Sequence, residues 1–247
     1  IMYRFLLRPS WVLLHVTVVA TIVLMINLGL WQFGRYHERI DFNEIVSSRI
    51  EAQPQNLNDL LLEIETGTKT AKDAEWLNVF ASGEYLDEQT INAVNRSQGG
   101  FSGVDPLTPM RIADGNQLVL VNRGFIAQST QNQESAQAPV GTVEILGRVR
   151  VSEVRKTGGL SDPADGVLKE VININLDRLG QQIQGLNTEI FIEVLKSNPA
   201  DASFLVPIAD PVLSSGSHLS YTAQWFIYSV FVAAGWVVVV RRKLKSG

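Results

Sequence analysis

Two apolar stretches, one near each end, frame a chain whose middle alternates apolar and polar positions at short range. From Pro9 to Phe33 and again from His218 to Val240 there is no Asp, Glu, Lys or Arg. Residues 11–31 hold 16 apolar positions of 21, and residues 221–240 hold 16 of 20. About 20 apolar residues, rising ~1.5 Å each, cross the ~30 Å hydrocarbon core, so 9–33 and 218–240 read as transmembrane helices. Pro9 suits a first helical turn, where its missing N–H costs nothing. Trp11 and Trp31 would place their indoles at opposite interfaces. A secretory signal peptide would carry an apolar core of only ~7–15 residues and a small-residue cleavage site. This stretch is longer and runs into Leu28-Gly29-Leu30-Trp31-Gln32, so an uncleaved anchor is expected.

Between the spans, residues 41–65 read as helix in two pieces interrupted by Pro54, the first with apolar Phe42, Ile45, Val46 and Ile50 on one face. The polar stretch 66–73 reads as a surface loop. Short alternating segments follow at 76–81, 91–95, 104–112, 118–121, 143–151, 171–175 and 190–195, with a short helix near 176–183. Gly99 to Gly103 and Asp114-Gly115 mark turns, and 128–137 and 158–166 read as loops. Strands at this spacing favour an antiparallel sheet closed into a barrel or packed as a sandwich. The expected fold is a membrane protein, a two-helix transmembrane hairpin flanking a mostly β (α+β) external domain. Its parts are a tail 1–8, the span 9–33, the external domain 34–217, the span 218–240 and a basic tail 241–247.

Charge orients this arrangement. Arg4 and Arg8 precede the first span, and Arg241, Arg242, Lys243 and Lys245 follow the second. By the positive-inside rule both termini are cytoplasmic, or on the matrix side of a mitochondrion. The large domain then lies in the periplasm or intermembrane space, on a bacterial plasma membrane or mitochondrial inner membrane. The whole chain carries a formal −4, but setting aside those six basic residues leaves 15 Lys+Arg against 25 Asp+Glu, a net −10 outside. Such a domain disfavours nucleic acid and anionic lipid surfaces and could attract a basic protein. The absence of cysteine excludes disulfides, thiolate catalysis and Cys-held zinc or iron–sulfur sites.

Catalytic signatures are sparse. There is no Gly-x-Ser-x-Gly elbow, Walker A loop, Gly-x-Gly-x-x-Gly or His-Glu-x-x-His. A Ser-His-Asp arrangement would need one of His15, His37 or His218, all near the spans. Gly99-Gly100-x-x-Gly103 reads as a turn before a phosphate cradle, and Asn95-Arg96-Ser97 matches a glycosylation acceptor only weakly. No enzyme activity and no metal site are expected. His15 lies ~10 Å into the cytoplasmic half, whereas His37 and His218 share the outer level, so only the latter two are at compatible depths. A membrane-level imidazole can ligate haem iron. It can equally hydrogen-bond a neighbouring helix, for His15, or cap the interface, for His218. Asn27 and Gln32 read as interhelical hydrogen-bonders.

Three segments, in order, resemble the Surfeit locus protein 1 family of cytochrome c oxidase assembly factors. They are Leu28-Gly29-Leu30-Trp31-Gln32-Phe33-Gly34-Arg35 with Arg39 behind it, Pro109 with Asp114-Gly115 and Leu120-Val121-Asn122-Arg123-Gly124-Phe125, and His218 to Phe226. Phe125 stands where the family usually has Trp, Ala127 where Pro is common, and Gly216-Ser217 where an amide-rich pair often precedes the His. The resemblance implies a non-enzymatic role in assembling or stabilising a haem-copper (aa3-type) oxidase, with assistance to haem a insertion into the catalytic subunit. The alternative is a resident accessory subunit of the oxidase or of a cytochrome bc-oxidase supercomplex; a membrane-tethered external enzyme ranks below both.

The implied partners are oxidase subunits, the catalytic one first, and membrane lipid, with no nucleic acid. No tightly bound cofactor is implied, only haem a in transit. His218 is the candidate haem ligand, with Tyr221 and Trp225 to pack on the macrocycle. Trp31, Gln32 and Arg35 form a patch that would fix the first helix against its mate or a partner subunit. In Asn122-Arg123-Gly124 the Gly permits an unusual backbone angle. Arg123 would fork to a carboxylate or a haem propionate, or form a purely structural buried ion pair. Without a thiol, copper delivery by this chain is disfavoured.

Overall fold

The computed structural model describes residues 4–115, 117–130, 136–153 and 158–245. The extreme tails and the middle of the expected 128–137 loop lie outside the described residues. The chain divides into two units, one of Ile1–Ser47 with Val212–Gly247 and one of Ser48–Pro211.

The first unit is built on α1 (Pro9–Glu51) and α5 (His218–Lys245). Both are long and apolar enough to cross a membrane, and only 6% of either apolar window is buried within the protein, unlike the core helix of a soluble fold. α1 continues without a break beyond Phe33, because nothing in 34–51 interrupts helical geometry. It ends three residues before Pro54, whose ring disfavours helical backbone in the residue ahead of it. The contact face of the pair is small: Gly29 is buried, and a Cβ there would stand 3.2 Å from the Phe226 ring. The hydroxyls buried on α5, Thr222 and Ser229, bond back to the carbonyls of His218 and Phe226 and so remain satisfied within their own helix.

In the second unit the chain runs β1 (Gln55–Asn56), α2 (Leu57–Glu65), α3 (Ala71–Ala74), β2 (Asn78–Tyr85), β3 (Ile91–Gln98), β4 (Phe101–Ile112), β5 (Leu118–Asn122), β6 (Ile126–Ala127), β7 (Thr142–Val151), β8 (Glu170–Val171), α4 (Leu176–Gly180) and β9 (Leu186–Asn198). Following the ladders from β2 to β7, β9, β5 and β4 leads back to β2, so five strands form a closed circuit of pairings. The sheet is mixed, which corrects the expectation of an antiparallel one. β1–β2, β3–β8 and β5–β9 pair parallel, the last through the long return between Asn122 and Leu186 that a parallel pair demands.

Strand periodicity divides the core in two. Along β5, Val119 and Val121 join a cluster with Leu57, Leu60, Met110 and Ile192. Leu118 and Leu120 face a second cluster with Leu107, Leu176, Leu179 and Phe191. β5 is therefore apolar at every position of its first four because both of its faces are covered, by α2 on one side and α4 on the other.

Four local expectations are revised. The strand placed at 76–81 begins at Asn78 and runs to Tyr85, since Trp76 adopts φ +75° and leaves the extended region. The loop 66–73 closes in a helical turn, capped reciprocally by Thr70 and Asp73. The segment 171–175 pairs only at its start, because the Asn175 side chain turns to accept from Arg178 N and open α4. The turn expected over Gly99 to Gly103 shortens to Gly99-Gly100, both at positive φ, because Phe101, Ser102 and Gly103 already pair with β3.

Candidate functional site

His218 opens α5, and its ring Nδ1 lies 2.8 Å from Gln32 Oε1 on α1. One hydrogen bond thus joins the first and third family-like segments. At the other end of the pair, Trp236 Nε1 donates to His15 Nδ1 at 3.0 Å. The two bonds are about 26 Å apart along α1. They fix an antiparallel register, and His15 is far from His218, as their depths required. His37 is not brought to His218; its Nδ1 meets the Phe33 carbonyl of its own helix at 3.0 Å. Asn27 likewise bonds within its helix, to Val23 O, so of the two amides expected to bridge the helices only Gln32 does.

The rest of the outer patch is open. Trp31 is 58% exposed and Arg35 is paired on its own helix with exposed Glu38 at 2.6 Å, so neither is occupied in holding α5. Arg39 Nε reaches Ser214 O at 3.1 Å, tying α1 to the segment that leads into α5. His218, Tyr221 and Trp225 follow one another at i, i+3 and i+7 and share a helix face. Tyr221 is 47% exposed and Trp225 half-buried with its ring edge-on to Tyr228. A Cβ built on Gly216 would lie 3.6 Å from His218 Nε2, so that edge of the ring lies beside a residue without a side chain.

Asn122, Arg123 and Gly124 sit together at the end of β5 and are wholly enclosed. Asn122 Nδ2 donates to Asp105 Oδ2 at 3.1 Å, while its Oδ1 accepts from Gly124 N. Arg123 forks onto Asp201 through Nε at 2.7 Å and Nη2 at 2.6 Å, and donates to the carbonyls of Ala136 and Gln137. Its side chain has no exposed surface. The carboxylate alternative is therefore the one realised, with the protein's own Asp201. Gly124 has φ +135°, and a Cβ there would meet Val206 O at 2.7 Å, where Phe125 and Val206 form an isolated bridge. The motif clamps the strand end to the 201–206 segment. Burial, together with Asp201, pushes the Tyr85 hydroxyl well above its ordinary range despite Arg123 5.8 Å from its ring.

Two further ionic clusters escaped the sequence reading. Arg96 forks onto Glu153 at 2.9 and 3.0 Å and stands 3.7 Å from Asp105, an ion pair too long for a hydrogen bond. Burial pushes the Asp105 carboxyl up to about 6, against the pull of Arg96 and Asn122. Burial also works against the charge of Arg96, but Glu153 and Asp105 outweigh it and raise the Arg96 value. In the second cluster, Arg148 and Arg150, two residues apart on β7, both reach Glu193 and flank the Trp76 ring, Arg150 at 3.9 Å. The i, i+2 spacing of the arginines was a visible signal that they share a face; their shared partner Glu193 lies on β9, whose pairing with β7 the sequence does not state.

The SURF1 family model matches residues 19–230. An uncharacterized SURF1-like protein of Mycobacterium bovis is 30% identical over 94% of this chain and 83% of its own length. A SURF1-like protein of Rickettsia bellii is 24% identical over 91% of this chain and 88% of its own. Human Surfeit locus protein 1 is 28% identical over 60% of this chain and 51% of its own.

Proposed function

The chain belongs to the SURF1 family, and from that membership we propose that it is a non-enzymatic assembly or stabilising factor for a haem-copper cytochrome c oxidase. In this reading α1 and α5 span the membrane with both termini on the cytoplasmic or matrix side. The β unit, barrel-like by its closed circuit of pairings, lies outside. The catalytic subunit is the partner and haem a is the cargo rather than a resident group.

The observation that supports this reading most is the Gln32–His218 bond, which ties the two span-flanking segments of family character across 186 residues of sequence. The donor set there fits a haem. His218 has one ring nitrogen engaged and the other beside a side-chain-free residue, and Tyr221 and Trp225 continue the same helix face with aromatic surface. A bound haem would supply an iron that the His218 imidazole could ligate. The chain's own residues would hold that imidazole still, and its aromatic face would shelter the ring from water. The enclosed Asn122-Arg123-Gly124 clamp holds the β unit's fold and leaves no free fork for a propionate.

Deleting the gene tests the proposal. Reduced-minus-oxidised spectra of the membranes are expected to show less haem a and less assembled oxidase, restored by the wild-type gene. Unchanged haem a and oxidase in the deletion strain would defeat it.

A further inference from the structure

Resting on the haem-handling reading above, we infer that Gln32 is a positioning residue for His218. It holds the imidazole in the tautomer that carries its hydrogen on Nδ1, so that the Nε2 lone pair, on the ring edge beside Gly216, is the donor offered to a haem iron.

The amide oxygen of Gln32 has no hydrogen to give, so at 2.8 Å from His218 Nδ1 the ring nitrogen must donate. In a neutral imidazole only one nitrogen carries hydrogen, which leaves Nε2 with a free lone pair. Metal-binding histidines are regularly fixed in this way, by a hydrogen bond from the nitrogen that does not bind the metal. Among the described residues no hydrogen bond uses Nε2 of His218.

Gly216 has φ +67°, a conformation that L side chains rarely adopt, and a Cβ there would sit 3.4 Å from His218 Cδ2 and 3.6 Å from Nε2. The edge of the ring that would face iron is thus the edge beside Gly216, which adds no side chain there. The opposite edge is the one tied to α1. The backbone around the ring is also fixed: Thr222 Oγ1 donates to His218 O, and Tyr221 N donates to Ser217 O.

The test uses the full chain in mild detergent, with wild type, Gln32→Leu, Gln32→Glu and His218→Ala. Nitrogen-15 NMR of the histidine ring reads the tautomer without any ligand. Titration with hemin, followed by the low-spin Soret and visible bands, reads axial ligation rather than partition into detergent. Wild type is expected to show hydrogen on Nδ1. Gln32→Leu should lose that preference and bind hemin roughly 10–100-fold more weakly. Gln32→Glu, which keeps an acceptor oxygen, should retain the tautomer and bind close to wild type. Equal hemin affinity in Gln32→Leu and wild type, with His218→Ala weakened, would overturn the positioning role and leave haem handling standing. Equal affinity in His218→Ala and wild type would overturn both. A wild-type ring with hydrogen on Nε2 would overturn the positioning role whatever the titration gives.

Discussion

Among the described residues, the side-chain bonds seen between α1 and α5 join Gln32 with His218 and His15 with Trp236, with no carboxylate or guanidinium in either. In the β unit buried ions are gathered into clusters with part-buried partners: Arg123 with Asp201, Asp105 with Arg96 and Glu153, and Arg148 and Glu193 with Arg150. The difference follows from what each unit can offer a charge. A pair of helices has few neighbouring polar groups, and its own backbone hydrogen bonds are already made, so an ion between them would lack partners. A sheet edge with loops folded over it supplies carbonyls and carboxylates from several strands. A guanidinium can then satisfy nearly all of its donors there, as Arg123 does. Charges in the β unit are accordingly structural struts, and the neutral bonds of the helical unit set register and ring orientation.

This contrast can be broken most sharply at Arg123. Arg123→Ala removes a fully buried guanidinium, leaves part-buried Asp201 and two carbonyls without that donor, and should cost about 3–5 kcal/mol in urea unfolding of the full chain in mild detergent. Arg123→Lys should recover only part, since an ammonium cannot reproduce the fork. A loss as small as that of the exposed Arg35–Glu38 pair would erase the distinction.

Asp105 gives the next largest effect, with a defined direction. Its folded-state value of about 6 stands above the ordinary 3.8, so its contribution to stability is fully present below about pH 4 and is lost as pH rises through 6. The total is of order 3 kcal/mol. Asp105→Asn should flatten that part of the profile, read as the urea midpoint against pH; an unchanged slope would contradict the assignment.

Gly124→Ala should cost about 1–3 kcal/mol through its backbone angle and its approach to Val206. Faster amide exchange at Phe125 and Val206 would report loss of their bridge. The smallest effect belongs to the helices. A double-mutant cycle of His15→Leu with Trp236→Phe should give a coupling near 0.6 kcal/mol, as expected of a neutral bond between membrane helices. A coupling as large as the Arg123 loss would show that the helical unit also depends on its polar contacts.

The sequence made the helical unit easier to read than the β unit, for reasons visible in particular residues. A charge-free run needs no partner to declare itself, and Pro54 marked the break between α1 and α2. The fate of Gln32 and Asn27 was harder, because both are amides on the same helix and only the structure distinguishes the one facing α5. In the β unit, alternation located β3, β4, β5 and β7. It could not reveal that β9 would lie parallel to β5, since that depends on a return of more than sixty residues. Trp76 looked like a strand residue from its type; in the structure it takes φ +75° with its ring between Arg148 and Arg150. Arg123 declared a fork but not its target, because Asp201 lies 78 residues away in sequence.

The central claim is that this chain acts on the oxidase, and the measurement closest to it is an inventory of what co-purifies with it. The tagged full chain, taken from its native membrane in mild detergent and compared with an untagged control, is expected to carry the oxidase catalytic subunit, in trace amount for a transient factor. Catalytic subunit at no more than the control level would contradict the account.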